Sequence, residues 1–143
     1  MTMMEAISPQ GKSVGLVADK DGKLATEPRI VWFPFKGAAA ISTTTTFSTK
    51  YPNHTGKVVA LFVKFSAAPT TSENFTVTLQ SVRGDAEYDS VLFSTDPSAT
   101  SATSIVQLWD IPCPLEMGDE VVVAYTNTDT RTIAGKIGIL PVV

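Results

Sequence analysis

The stretch NFTVTLQSV, Asn74 to Val82, alternates apolar and polar side chains almost without error: Phe75, Val77 and Leu79 point one way, Thr76, Thr78 and Gln80 the other. Period two marks a strand with one face on a core and one in water. Nothing in the chain shows helical spacing over two or more turns. In KVVALFVKFS, Val59, Leu61, Val63 and Phe65 fall on one face and Ala60, Phe62 and Lys64 on the other, which predicts a strand partly covered on both sides. TSIVQLWDI sets Ile105, Gln107 and Trp109 against Val106 and Leu108. DEVVVAYTNT and RTIAGKIGIL read as a hairpin around NTDT, a turn whose Asn and Asp can cap their own backbone.

Further segments fit the same pattern. RIVWFPF reads as an apolar strand stopped by Pro34, which cannot donate to a central ladder. The threonine run predicts a strand around Ile41 to Thr49, and EYDSVLFST supplies another. Asp21-Gly22 is a hairpin signal. About eight antiparallel strands at short regular spacing predict an all-β fold, a single β-sandwich of jelly-roll type. Its expected core is Val59, Leu61, Val63, Phe65, Phe75, Val77, Leu79, Trp109, Val121, Val123 and Ile137. The chain of 143 residues is one domain's worth. Residues 1–12 read as a flexible arm and 13–143 as the sandwich. In that arm Met1, Met3, Met4 and Ile7 are the sizeable apolar residues, and Ser8-Pro9 with Gly11 breaks any helix. It is expected to be mobile alone and to order only on a partner surface, or else to be an unused tail.

Charge narrows the function. Charged residues are 17% of the chain, below the roughly 25% of typical soluble proteins, and Ser and Thr fill the polar quota. A low-charge, hydroxyl-rich surface suits burial against neighbouring protein, and with the two-sided Lys57 to Ser66 segment it predicts self-association, as a trimer at first guess. The net charge of -3 leaves no footprint for nucleic acid. Glu5 stands where a signal peptide needs its positive end, and no apolar run approaches the about 18 residues of a membrane span, so a cytosolic origin and no membrane partner are expected.

Candidate chemistry is sparse. Asp119, Glu120 and Asp129 sit at the ends of one hairpin, badly placed to share a metal, and read as turn punctuation with a weak calcium site as the alternative. Cys113 and His54 are the only residues of their kinds, which leaves neither an intrachain disulfide nor a Cys/His zinc site, and they read as structural and bystander. Arg83-Gly84-Asp85 resembles an integrin-binding tripeptide but suits an ordinary turn, and Asn53 and Asn74 match the glycosylation pattern, which needs secretion. Trp32, Trp109, Tyr51, Tyr88 and Tyr125 are read as core or interface, with a sugar-stacking platform as the alternative. Neighbouring acids such as Asp85 with Glu87, or Asp119 with Glu120, are not placed to flank one bond. No catalytic, cofactor or metal residue is assigned, and no enzyme is expected.

From Tyr88 to Ile137 the chain resembles small β-sandwich virion proteins of tailed bacteriophages that decorate or cement the capsid shell. The matched features are DSVLFSTDPS, the hairpin PLEMGDEVVVAYTNTDTRT and the preceding NFTVTL, roughly the C-terminal half. The resemblance implies a protein assembled in the host cytoplasm and located in the virion. Its partners would be the major capsid protein and further copies of itself, commonly as a trimer at local threefold positions. A receptor- or carbohydrate-binding module of a tail or fibre, and a head or tail connector piece, are the alternatives.

Overall fold

The structure, a computed structural model, describes residues 29–52 and 54–142. The expected arm, the Asp21-Gly22 hairpin and Asn53 lie outside the described residues. Eight strands follow in order: β1 (Val31–Gly37), β2 (Ile41–Thr46), β3 (Thr55–Phe65), β4 (Phe75–Gln80), β5 (Ser90–Thr95), β6 (Ser104–Leu115), β7 (Glu120–Tyr125) and β8 (Ile133–Val142). Pairing is nested and antiparallel: β1 with β8, β2 with β7, β3 with β6, β4 with β5. That is one long hairpin of four strand pairs. Rolling it up adds the β3–β8 and β4–β7 ladders. The result is two four-stranded sheets, β1-β8-β3-β6 and β2-β7-β4-β5, the strand order of a jelly roll.

The core lies between the sheets, where the alternation put it. Leu61, Phe75, Val77, Val121, Val123, Ile133, Ile137 and Ile139 are buried, with Val63 and Phe65 beside them. Tyr125 joins Phe65 and Phe75 at ring-centroid distances of 5.9 and 5.8 Å. Phe35 of β1 reaches across β8 through the space Gly135 leaves open, since a Cβ there would stand 2.4 Å from the Phe35 ring.

Three core assignments change. Val58, not Val59, points inward, because β3 carries a bulge between Val58 and Ala60 that reverses the alternation below it. Leu79 and Trp109 are only partly buried, packing against the rim of the core. Leu79 ends its strand where the sandwich opens, and Trp109 leaves the ladder where four residues of β6, Trp109 to Pro112, stand opposite Val59 alone.

Two strand boundaries also change. β1 runs through Pro34 to Gly37, because it is an edge strand paired only with β8 and its other side needs no donor. Pro112 and Pro114 are accommodated in β6 for the same reason. The threonine strand stops at Thr46, and Phe47–Lys50 form one helical turn, α1, that drops Phe47 into the core against Phe33 and Tyr51.

The bulge predicts an asymmetry between neighbours. Val58→Ala should cost about 1.5 to 3 kcal/mol in urea unfolding, and Val59→Ala under about 1 kcal/mol. Phe75→Ala should cost about 3 to 5 kcal/mol, and Leu79→Ala less than the about 2 to 5 kcal/mol of fully buried leucines. Equal losses at positions 58 and 59 would contradict the bulge.

Candidate interaction surface

The carboxylates tie loops together at the two ends of the sandwich. At one end Asp119, buried just before β7, accepts the backbone N–H groups of Val82 and Glu116, both at 2.8 Å. Those bonds lock the β4–β5 loop to the β6–β7 turn. Glu120 accepts the Thr46 hydroxyl at 3.1 Å. At the opposite end Asp129 accepts the backbone N–H groups of Thr70 and Thr71 and both their hydroxyls. Glu73 accepts from the N–H and hydroxyl of Thr128, and Asp96 from the hydroxyls of Ser72 and Ser98.

Asn127 completes that end. Buried with φ of 57°, its amide donates to the carbonyls of Ala39 and Arg131 at 3.0 and 2.9 Å, and its oxygen accepts the Arg131 N–H at 3.0 Å. NTDT is not the turn of a hairpin, because β7 and β8 lie in different sheets and do not pair with each other; it is a crossover between sheets that caps itself through Asn127, whereas Asp129 reaches out to the β3–β4 loop. Thus Asp119 and Asp129 stand beyond opposite ends of β7, the first occupied by backbone donors and the second by backbone and hydroxyl donors. Among the described residues no three His, Cys, Asp or Glu side chains group as metal ligands.

The remaining candidates are dispersed. Cys113 is half-buried beside the core, and burial pushes its thiol up. His54 sits edge-on to Tyr51, its Nδ1 3.0 Å from the Pro52 carbonyl. Arg83 pairs with Glu116 at 3.1 Å and lies over Tyr88, while Gly84 takes φ of 80° in an exposed turn. Asn74 is exposed. The five aromatic candidates share no surface: Tyr125 is buried, Trp109 donates to the Leu92 carbonyl at 3.4 Å, Tyr51 stacks on Phe47, Tyr88 projects from a loop and Trp32 lies on a sheet face.

That sheet face is the most distinctive surface of the molecule. Above the β3 bulge, the register of β1-β8-β3-β6 places twelve outward residues in three rows. Trp32, Gly138, Ala60 and Leu108 form one; Pro34, Lys136, Phe62 and Val106 the next; Lys36, Ala134, Lys64 and Ser104 the third. Gly138 gives Trp32 its seat, since a Cβ there would meet the indole at 2.8 Å. Trp32 and Phe62 lie 5.5 Å apart, and the Lys136 ammonium sits 4.5 Å over the indole. Val106 and Leu108 are 61% and 59% exposed, in rows that carry three lysines and no carboxylate; beyond them on the same sheet, Asp110 of β6 and Lys57 of β3 are also exposed.

The outer face of the other sheet differs in kind. Its rows read Ser42, Ala124, Thr76 and Ser94, then Thr44, Val122, Thr78 and Val91, then Thr46, Glu120 and Gln80. Hydroxyls dominate there, and the sequence's excess of Ser and Thr is spent largely on that face and on the rim loops.

No protein-family model matches this chain, and no curated protein matches it. The likeness to phage virion proteins therefore rests on the segments quoted for it. The lysine face was not read from the sequence as one surface. Alternation shows that Phe62, Lys64, Val106 and Leu108 can face outward, but only the register brings them beside Trp32 and Lys136 of distant strands.

The braced end predicts an acid limb to stability. Hydrogen bonds from Ser72 and Ser98 hold Asp96 down to about 2, and those from Thr71 and Thr70 hold Asp129 well below the ordinary carboxylate range. Carboxyls depressed in the fold stabilise it above their unfolded value of about 3.9, and that contribution fades as pH falls towards about 2. Urea midpoints measured from pH 5 to 2 should decline, and Asp129→Asn should flatten the decline. Asn127→Ala, which strands a buried N–H and two carbonyls, should cost about 2 to 4 kcal/mol at neutral pH.

Proposed function

We propose that this chain is a non-enzymatic structural protein of a bacteriophage virion, binding the assembled capsid as a decoration or cement protein and stabilising the shell. The observation that carries this reading is the apolar, lysine-framed face of β1-β8-β3-β6, left open among the described residues. A contiguous apolar face on a small sandwich favours burial against protein. The braced loops support the same reading, because a scaffold fixed at both ends loses little conformational freedom on docking. The resemblance of the Tyr88 to Ile137 segment supplies the particle context.

The mechanism is mass action. A protein that binds only the assembled shell stabilises it, and many modest contacts add through avidity. No catalytic step is involved, and its partners are the major capsid protein and its own copies.

Quantifying this protein against the major shell protein in purified particles tests the reading. A decoration protein should appear in copies of the order of the shell subunit, and particles stripped of it should open at lower temperature and recover on its return. A few copies per particle would indicate a connector, and hits on a glycan array would favour a tail adhesin; either result would replace the proposal.

A further inference from the structure

We infer that copies of this chain associate head to tail, the acidic loop end around Tyr88 of one copy seating on the lysine-framed sheet face of the next. Two lysine faces cannot meet each other comfortably. A two-fold pairing through them would set Lys36, Lys64 and Lys136 against like charges with no carboxylate in the rows they share.

The complementary surface is present on the same molecule. The β4–β5 loop and the β6–β7 turn carry Asp85, Glu87, Asp89 and Glu116 in exposed or half-exposed positions. Of the two cations beside them, Arg83 is held by Glu116 at 3.1 Å and Lys57 of β3 lines the cleft behind Tyr88, which leaves the carboxylates in excess. Among these carboxylates Val82, Tyr88 and Met117 are each more than half exposed. One patch is therefore apolar with carboxylates and the other apolar with ammonium groups.

Shape agrees with charge. On the lysine face, Pro34, Phe62, Lys64, Val106, Ala134 and Lys136 line a shallow groove of about 420 Å³ with apolar walls. The loop end presents a knob, the 3-10 turn Ala86–Tyr88, with Tyr88 at its close and acids on both flanks. A tyrosine seated there would bury about 150 to 250 Å² with Lys64 and Lys136 beside its acidic neighbours. Asp119 fixes the backbone on which that knob stands, so the loop is shaped before contact.

The twelve outward positions span about 400 Å² from strand and residue spacings. That is about half of what each partner gives to a standard interface of about 800 Å² a side, with the rim supplying the rest. Because a loop end and a sheet face stand at a steep angle to each other, successive copies turn sharply and close a small ring. A contact between two different patches gives a ring where the rotation closes and a filament where it does not, and a sharp turn favours the small ring.

Light scattering on the full chain at about tens of micromolar tests this. The expected mass is a fixed multiple of 15.2 kDa that does not grow with concentration. Lys64→Glu with Lys136→Glu should give monomers, as should Asp85→Lys with Glu87→Lys, each by weakening association about tenfold or more. All four changes in one chain should restore the ring, which a two-fold contact through the sheet face alone would not do. Far-ultraviolet dichroism checks that each variant folds, and Lys64→Gln with Lys136→Gln replaces the first pair if it does not. A monomeric parent chain, double variants that stay oligomeric, or a fourfold variant that stays monomeric would each overturn the inference. The measurement needs no particles, so rings that fail to bind a capsid would sink the virion reading and leave this one standing.

Discussion

One extra residue in β3 decides which chemistry the molecule shows to its surroundings. β3 is hydrogen-bonded on both sides, to β6 and to β8, and the bulge at Val59 lies in both ladders. Above it Leu61, Val63 and Phe65 point inward; below it Val58 does. Strict alternation from Phe65 back would have turned Lys57 into the core, where an unpaired ammonium group is heavily penalised. The bulge keeps Lys57 and Lys64 both exposed and all the branched residues covered. It also fixes Ala60, Phe62 and Lys64 as the middle column of the outer face, and so determines what Trp32 and Leu108 are set beside.

That bulge was legible in principle. Lys57 and Lys64 are seven residues apart, an odd separation that a regular strand would send to opposite faces, and VVALFV between them gives no polar residue to choose a side. Reading the charges before the hydrophobes would have located the irregularity. The alternations of β4 and β7 needed no such help, because threonines and glutamine mark one side of β4 and the valines and Tyr125 hold one side of β7. Four residues of β6 against one of β3 gave no such signal, since Trp109, Asp110 and Ile111 continue the alternation of the strand before them up to Pro112. Proline was misread at position 34 because its exclusion from ladders applies to central strands, and chain order alone does not show that β1 is an edge.

The carboxylates were read as punctuation, and the structure shows what such punctuation does. Each main loop at the Asn127 end is held by a side chain from another loop: Ala39 by Asn127, Thr70 and Thr71 by Asp129, Thr128 by Glu73, Ser72 by Asp96. Threonine and serine suit this role because each can offer both a backbone N–H and a hydroxyl to one carboxylate. Composition could therefore show that hydroxyls were abundant, but not that many serve as donors to a handful of acids across long sequence separations. These cross-links join segments up to 88 residues apart, and the nested strand order is what brings such loops together.

The division of charge follows from that use of the acids. Carboxylates accept hydrogen bonds, and backbone N–H groups at turns hold Asp89, Asp96, Asp119 and Asp129 at the ends of the sandwich, with Asp110 and Glu120 left on strands; Lys36, Lys57, Lys64 and Lys136 have only donors and stand on strands whose backbone is already paired. With so few charges in the chain, this sorting leaves one sheet face cationic, the loop ends anionic and the other sheet face covered with hydroxyls. A hydroxyl face hydrates at little cost. A face of Trp32, Phe62, Val106 and Leu108 leaves apolar area in water, worth about 25 cal/mol for each Å² removed on contact. The lysines around it do not offset that cost, but they limit which surfaces can relieve it. Affinity and selectivity thus fall on the same side of the molecule, the one from the apolar rows and the other from the charges that frame them.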